Sequence, residues 1–149
     1  MSIHLVASNK KAFHDFEILD RFEAGIVLQG TEVKSIRDHR LNFKDSYARV
    51  VDGEVWLEGC HISPYVHGNI HNHEPERRRK LLLNRKEINK LLGEVTKGGL
   101  TIVPLKVYFK EGKVKVEIGL ARGKRLYDKR ETARRKTIER EIEAELKRR

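Results

Sequence analysis

Two Xaa-Gly dipeptides, each set between strand-like runs, constrain this chain more than any other feature. YARVV, Asp52-Gly53 and EVWLEG follow one another directly, and TIVPLKVYF (101–109) meets KVKVEIGL (113–120) through Glu111-Gly112. Asp-Gly is a strong hairpin signal, because both central residues can take positive φ. Val114, Val116 and Ile118 alternate cleanly in the second hairpin, and Pro104 belongs at a bulge or edge of its strand. Residues 15–28 (DFEILDRFEAGIVL) form another strand-like run, with Gly25 expected at a bend or bulge. The body is mainly β.

Two segments of that body read as helices. Asn84 and Glu87 form a capping box, Ile88, Leu91, Leu92 and Val95 follow at helical spacing, and Gly98-Gly99 supplies the stop. Residues 30–38 (GTEVKSIRD) are a shorter candidate, with Val33 and Ile36 facing a core and Glu32, Lys34, Ser35 and Arg37 outside. Short strands with interspersed helices suggest a small closed or partly closed barrel.

Charge divides the chain. The 149 residues carry a net +10, and residues 121–149 hold 12 Lys/Arg against 6 Asp/Glu, or +6. That leaves +4 on residues 1–120. The length suits one domain, here 1–120, and a basic tail, 121–149. Leu126, Tyr127, Ile138, Ile142 and Leu146 are the tail's only large apolar residues, too few to offset ordering entropy, so it is expected to be disordered when free. Excess basic charge points to a polyanionic partner.

Enzymatic chemistry finds little support. Cys60 is the single cysteine, which excludes a disulfide framework and suits a reducing cytosol. Placed on a strand, Cys60 and the adjoining His61 would point to opposite faces and form no nucleophile–base pair. His61, His67, His71 and His73 sit in a polar stretch with Gly68, Asn69 and Asn72, and read as a solvated loop with no metal and no cofactor. No signal peptide, membrane-length apolar run or phosphate-cradling Gly-rich motif is visible. Arg77-Arg78-Arg79-Lys80 and the residues around Arg122, Lys124 and Arg125 are either solvated faces or backbone contacts for nucleic acid. Tyr65 and Trp56 are the aromatics available for stacking, but Trp56 shares a strand face with Glu54 and Glu58, a poor surface for a polyanion.

Several blocks, in order and at consistent spacing, then carry a resemblance. Asn9-Lys10-Lys11-Ala12, HDFEILDRFEAGIVLQGTEVKSIR (14–37), SYARVVDGEVWLEGCHISPY (46–65), RRRKLLLNRKEI (77–88), GLTIVPLKVYF (99–109) and GLARGKRLYDKRE (119–131) span nearly the whole chain. Together they closely resemble the small protein B, or SsrA-binding protein, family of bacterial ribosome rescue. Asn84 stands where that family has histidine, and Phe16 where it has tyrosine.

The resemblance implies an oligonucleotide-binding (OB-like) closed β-barrel with embedded helices and a basic C-terminal tail. It implies a non-enzymatic, cytoplasmic monomer that binds the tRNA-like domain of transfer-messenger RNA. Protein and RNA would enter the vacant A site of a stalled ribosome, where the tail senses the decoding centre and message channel and becomes helical. Asn9, Lys11, Glu32, Lys34, Ser35, Arg37 and Lys124 match segments of the family's RNA-binding face. For Glu32, a carboxylate that repels phosphate, the residue chemistry also allows a base amino contact, the positioning of a neighbouring cation, or capping of the short helix. Tyr127, Asp128, Lys129 and Arg130 match the tail-start motif, and Arg134, Arg135, Lys136 and Arg140 extend the sensing tail. As a helix, residues 131–149 would span roughly 28 Å. A general RNA-binding or ribosomal protein and a metal-dependent nuclease are the alternatives.

Overall fold

The computed structural model describes residues 3–68 and 71–123. β1 (Ile3–Ser8), α1 (Lys10–Asp15), β2 (Phe16–Ile26), α2 (Gly30–Arg37) and β3 (Leu41–Asn42) come first. β4 (Tyr47–Val51), β5 (Glu54–Glu58), β6 (His61–Ile62), β7 (Arg79–Leu82), α3 (Arg85–Thr96), β8 (Leu100–Lys110) and β9 (Lys113–Gly123) complete the described chain. Seven strands form one antiparallel sheet in the order β1-β8-β4-β5-β7-β2-β9, with β8 also pairing with β9. The β4–β8 pairing rests on Ala48 opposite Ile102. β3 and β6 make a separate two-stranded ladder.

Both hairpin signals produce hairpins. Asp52 and Gly53 take φ of 51° and 76°, and Glu111 and Gly112 take 52° and 79°, the double left-handed turn that matches strand twist. Pro104 lies at a register shift of β8 against β9, as its missing N–H demands. Gly25 differs from expectation: it stays in register with both Lys115 and Leu82, and the irregularity in β2 falls between Ile18 and Asp20. Cys60 also lies off the strands, between β5 and β6.

Alternation along β8 lets one strand serve two cores, and the shift after Pro104 changes which parity faces the main one. Ile102 and Val107 join the main core with Ala24, Val55, Leu57 and Ile118, on which Ile36 of α2 and Leu91 of α3 also pack. Val103 and Leu105 join a smaller cluster with Ala12 of α1 and Ala121 of β9. Burial on both sides accounts for the nearly continuous apolar run of this strand.

α3 begins at the expected capping box, with the Asn84 side chain accepting from Glu87 N at 2.9 Å and Glu87 accepting from Asn84 N at 3.2 Å. Ile88 and Leu91 are buried, whereas Leu92 is exposed. α1, six residues long, is too short to show a helical period in the sequence. Asn9 Oδ1 accepts from Ala12 N at 3.1 Å, the role this residue type commonly fills.

Candidate nucleic-acid interface

The centre of the candidate site is a buried carboxylate. Glu32 on α2 and Arg79 on β7 are both fully buried, and Arg79 Nε donates to Glu32 Oε2 at 2.5 Å. Glu32 Oε1 accepts from Arg77 at 2.6 Å and from Gln29 N at 2.7 Å, so one side chain caps the helix and joins it to β7. Arg79 spends its other donors on the carbonyls of Cys60 at 2.8 Å and Pro75 at 3.0 Å. Burial pushes the Glu32 carboxyl up, but the hydrogen bonds from Arg77 and Gln29 N and the charge of Arg79 outweigh it, and the group lies below the ordinary glutamate value.

This arrangement corrects the expected orientation of α2. Glu32, Ser35 and Ile36 are buried at i, i+3 and i+4, and Val33 is only half-buried. An apolar periodicity cannot reveal a stripe whose key member is a glutamate paired with a distant arginine. Glu32 and Ser35 therefore lie inside rather than on an exposed face, and Glu32 is a helix cap and a holder of cations. Asn9 is likewise buried, donating from Nδ2 to Pro104 O at 2.8 Å while capping α1.

The opposite stripe of α2 carries the available charge. Lys34 and Arg37 are exposed one turn apart. Lys34 Nζ sits 5.4 Å from the Tyr65 ring centre, and that ring meets His67 edge-on at 5.5 Å. Neither Arg37 nor the exposed Arg40 makes an ion pair among the described residues. His39 Nδ1 contacts Val6 O at 3.0 Å and ties the end of α2 to β1. Beyond that tie lies a cleft of about 600 Å³ whose lining includes Ser8, Lys10, Lys11, Asn42 and Lys44. Lys11 is exposed and paired with the exposed Asp45. Nothing local in the sequence marks Arg40 and Lys10 as available or Lys44 as paired, here with Glu76 at 2.9 Å.

Other candidates have partners within the chain. Besides the Glu32 partners, Arg78 stacks 4.3 Å over Trp56, and Lys80 pairs with Glu54 at 2.9 Å. The run 77–80 is thus split: Arg79 is buried and Arg77 joins it on Glu32, whereas Arg78 is exposed and Lys80 partly so. Arg122 pairs with Glu17 at 2.6 Å. His73 is buried between Thr31 Oγ1 at 2.8 Å and Ile62 O at 2.7 Å, so the histidine segment is partly packed rather than simply solvated. Among the described residues no cluster of His, Cys, Asp and Glu could hold a metal. Burial pushes the Cys60 thiol up to about 12, which leaves it protonated and unreactive. Among those residues no helix is long and apolar enough to cross a membrane. Lys124, Tyr127, Asp128, Lys129, Arg130, Arg134, Arg135, Lys136 and Arg140 lie outside the described residues.

Fold and site together define a class: a small antiparallel-sheet protein that fixes a helix on a buried ion pair and presents cations from that helix and the adjoining loops. Comparison with known proteins is specific. Residues 6–148 match the model of the SmpB protein family. An SsrA-binding protein of Syntrophobacter fumaroxidans is 61% identical over 145 residues, 97% of this chain and 90% of the relative. One from Enterococcus faecalis is 59% identical, over 96% of this chain and 93% of the relative. A chain in a solved structure, described as "tmRNA-SmpB: a journey to the center of the bacterial ribosome", superposes with a TM-score of 0.68 at 54% identity and covers 79% of this chain and 83% of that one. The chain belongs to the SmpB protein family.

Proposed function

We propose that this protein binds the tRNA-like domain of transfer-messenger RNA (SsrA RNA) and delivers it to the A site of stalled ribosomes, so that trans-translation can tag the peptide and rescue the ribosome. The observation that carries this reading is the exposed Lys34–Arg37 stripe held over the buried Glu32–Arg79 pair, in a chain 61% identical to an SsrA-binding protein. Lys34, Arg37 and Lys11 meet phosphates, with Lys124 joining them, and the buried Asn9, Glu32 and Ser35 act by positioning α1 and α2. The protein acts by binding, as a monomer in the cytoplasm, and breaks no bond.

The sheet acts as an OB-like closed barrel. Supporting this, the pairings run β8–β4, β4–β5, β5–β7, β7–β2, β2–β9 and back through β9–β8. The tail boundary moves from 121 to 124, because Ala121, Arg122 and Gly123 pair with β2 as the end of β9 and Ala121 is buried. The segment 124–149 is a separable sensor, disordered when free and helical in the message channel, with Tyr127 to Arg130 at the decoding centre. Its net +5 and scarcity of apolar residues support that reading.

Sequencing of RNA co-purified with the chain from bacterial cells tests the partner. Transfer-messenger RNA should dominate, and an even spread over ribosomal and transfer RNAs would overturn the assignment. Ending the chain at Arg130 should leave RNA affinity within about twofold while peptide tagging on stalled ribosomes is lost. Full tagging by a scrambled tail of the same composition would instead reduce the tail to an electrostatic tether.

A further inference from the structure

Beside the basic cleft lies a second cavity, of about 370 Å³, between α1 and the start of β4. Ala12, Phe16 and Val103 give it an apolar wall, and Tyr47 and Thr101 also line it. Asn9, Lys11, Lys44 and Asp45 line both hollows, so the two adjoin. We propose that this cavity takes one nucleotide splayed out of a bound RNA, with the base inside and its phosphate at the mouth. The proposal rests on the RNA-binding reading above and gives it a specific subsite.

The chemistry of the walls sets the direction of entry. Asp15, 7% exposed, lines the interior, and a buried carboxylate repels phosphate, so the charged end of a nucleotide stays out. The mouth has the opposite character. Lys11 and Lys44 stand there, held by Asp45 and Glu76 in ion pairs whose members are all about half-exposed or more. Exposed pairs of this kind are worth little, and a phosphate can replace either carboxylate at small cost.

The remaining features suit a planar ring. Tyr47, 44% exposed, offers an aromatic surface for stacking. Ser46 also lines the cavity; it is 5% exposed, and its hydroxyl has no hydrogen-bond partner among the described residues. Hydroxyls of Ser46 and Thr101 can each donate or accept, which accommodates either a purine or a pyrimidine edge. The volume falls at the lower end of the roughly 300–1,000 Å³ typical of small-ligand pockets, which fits one nucleotide and excludes a stacked pair. Unstacked bases bound in such side-chain pockets are a common means of recognising RNA loops.

The test uses the full chain, labelled with ¹⁵N and titrated separately with adenosine 5′-monophosphate, uridine 5′-monophosphate and inorganic phosphate. Saturable shifts of the Ala12, Thr101 and Val103 amides with both nucleotides, and not with phosphate, are expected. Equal shifts with phosphate alone would reduce the cavity to an anion site, and no shift with either nucleotide would leave it without this ligand; each result overturns the proposal. Thr101→Phe, which fills the cavity, should abolish the shifts. Tyr47→Ala, at an exposed position that keeps the fold testable, should weaken nucleotide and tRNA-like RNA binding by about tenfold. Wild-type RNA affinity in a folded Tyr47→Ala chain would sink the subsite while leaving RNA binding by the protein intact. Loss of all RNA binding by the wild-type chain would instead strike the broader reading, and the nucleotide titration would still decide the cavity.

Discussion

Two basic regions of this molecule meet opposite fates. Residues 77–80 are four cations in succession, the densest run in the described chain. Every one of them has a partner within the chain: Arg77 and Arg79 on the buried Glu32, and at the surface Arg78 on Trp56 and Lys80 on Glu54. Lys34, Arg37 and Arg40 are spread thinly along α2 and its exit, yet all three are exposed, and neither arginine has an ion-pair partner among the described residues. Density along the chain therefore says little about charge offered to a partner. Availability depends on which carboxylates the topology brings within reach, and β7 lies between β5 and β2, close to Glu54 and to the start of α2.

The largest effect follows from breaking the engaged region at its centre. Arg79→Ala leaves Glu32 buried with its charge only partly compensated, and should cost about 3–5 kcal/mol of stability in urea unfolding. A loss under about 1 kcal/mol would mean that water readily replaces the guanidinium. The same pair gives a pH signature. The Glu32 carboxyl is lower in the folded protein than its ordinary value of 4.5, so its contribution is complete above that value and lost as pH falls through the lower folded one. Stability of the wild-type chain should decline in that acidic window. Glu32→Gln should flatten the decline.

Removing Lys34 and Arg37 together sharpens the other side of the comparison. Stability should hold within about 0.5 kcal/mol, because both side chains are exposed. Affinity for the tRNA-like RNA should fall by roughly tenfold or more, and the dependence of log affinity on log salt should become shallower by about one to two units. An unchanged salt slope would place the RNA on another surface.

How much of this was legible beforehand varies by element. The hairpins and α3 were readable because their signals are local: paired left-handed residues at 52–53 and 111–112, and a capping box at Asn84 and Glu87. The inner face of α2 was not, since Glu32 is buried only because Arg79 arrives from 47 residues further along the chain. Asn9 illustrates a third case. Its residue type favours a helix cap, and it fills that role at α1 while donating to Pro104 O, a partner 95 residues along the chain that no local pattern reveals. Composition set the sign of the partner's charge, and tertiary pairing decided which cations remain to meet it.

The smallest effect is the most discriminating. Arg78→Ala with Lys80→Ala removes two cations from the dense run, the same number as the α2 double variant. An exposed cation–π contact and a half-exposed ion pair are each worth about 0.5–1 kcal/mol at most, so stability should drop by roughly 1 kcal/mol. The net charge of the protein falls equally in both double variants. If long-range attraction governed RNA binding, the two would lose affinity alike, and both losses would vanish together at high salt. If contact governs, the Arg78/Lys80 variant should stay within about twofold of wild type at 0.15 M salt, because both cations stand on the sheet face of Trp56, where Glu54 and Glu58 repel a polyanion. Parallel binding isotherms of the two variants at low and moderate ionic strength make the separation. Equal losses at both would erase the distinction between engaged and available charge on which the placement of the RNA face depends.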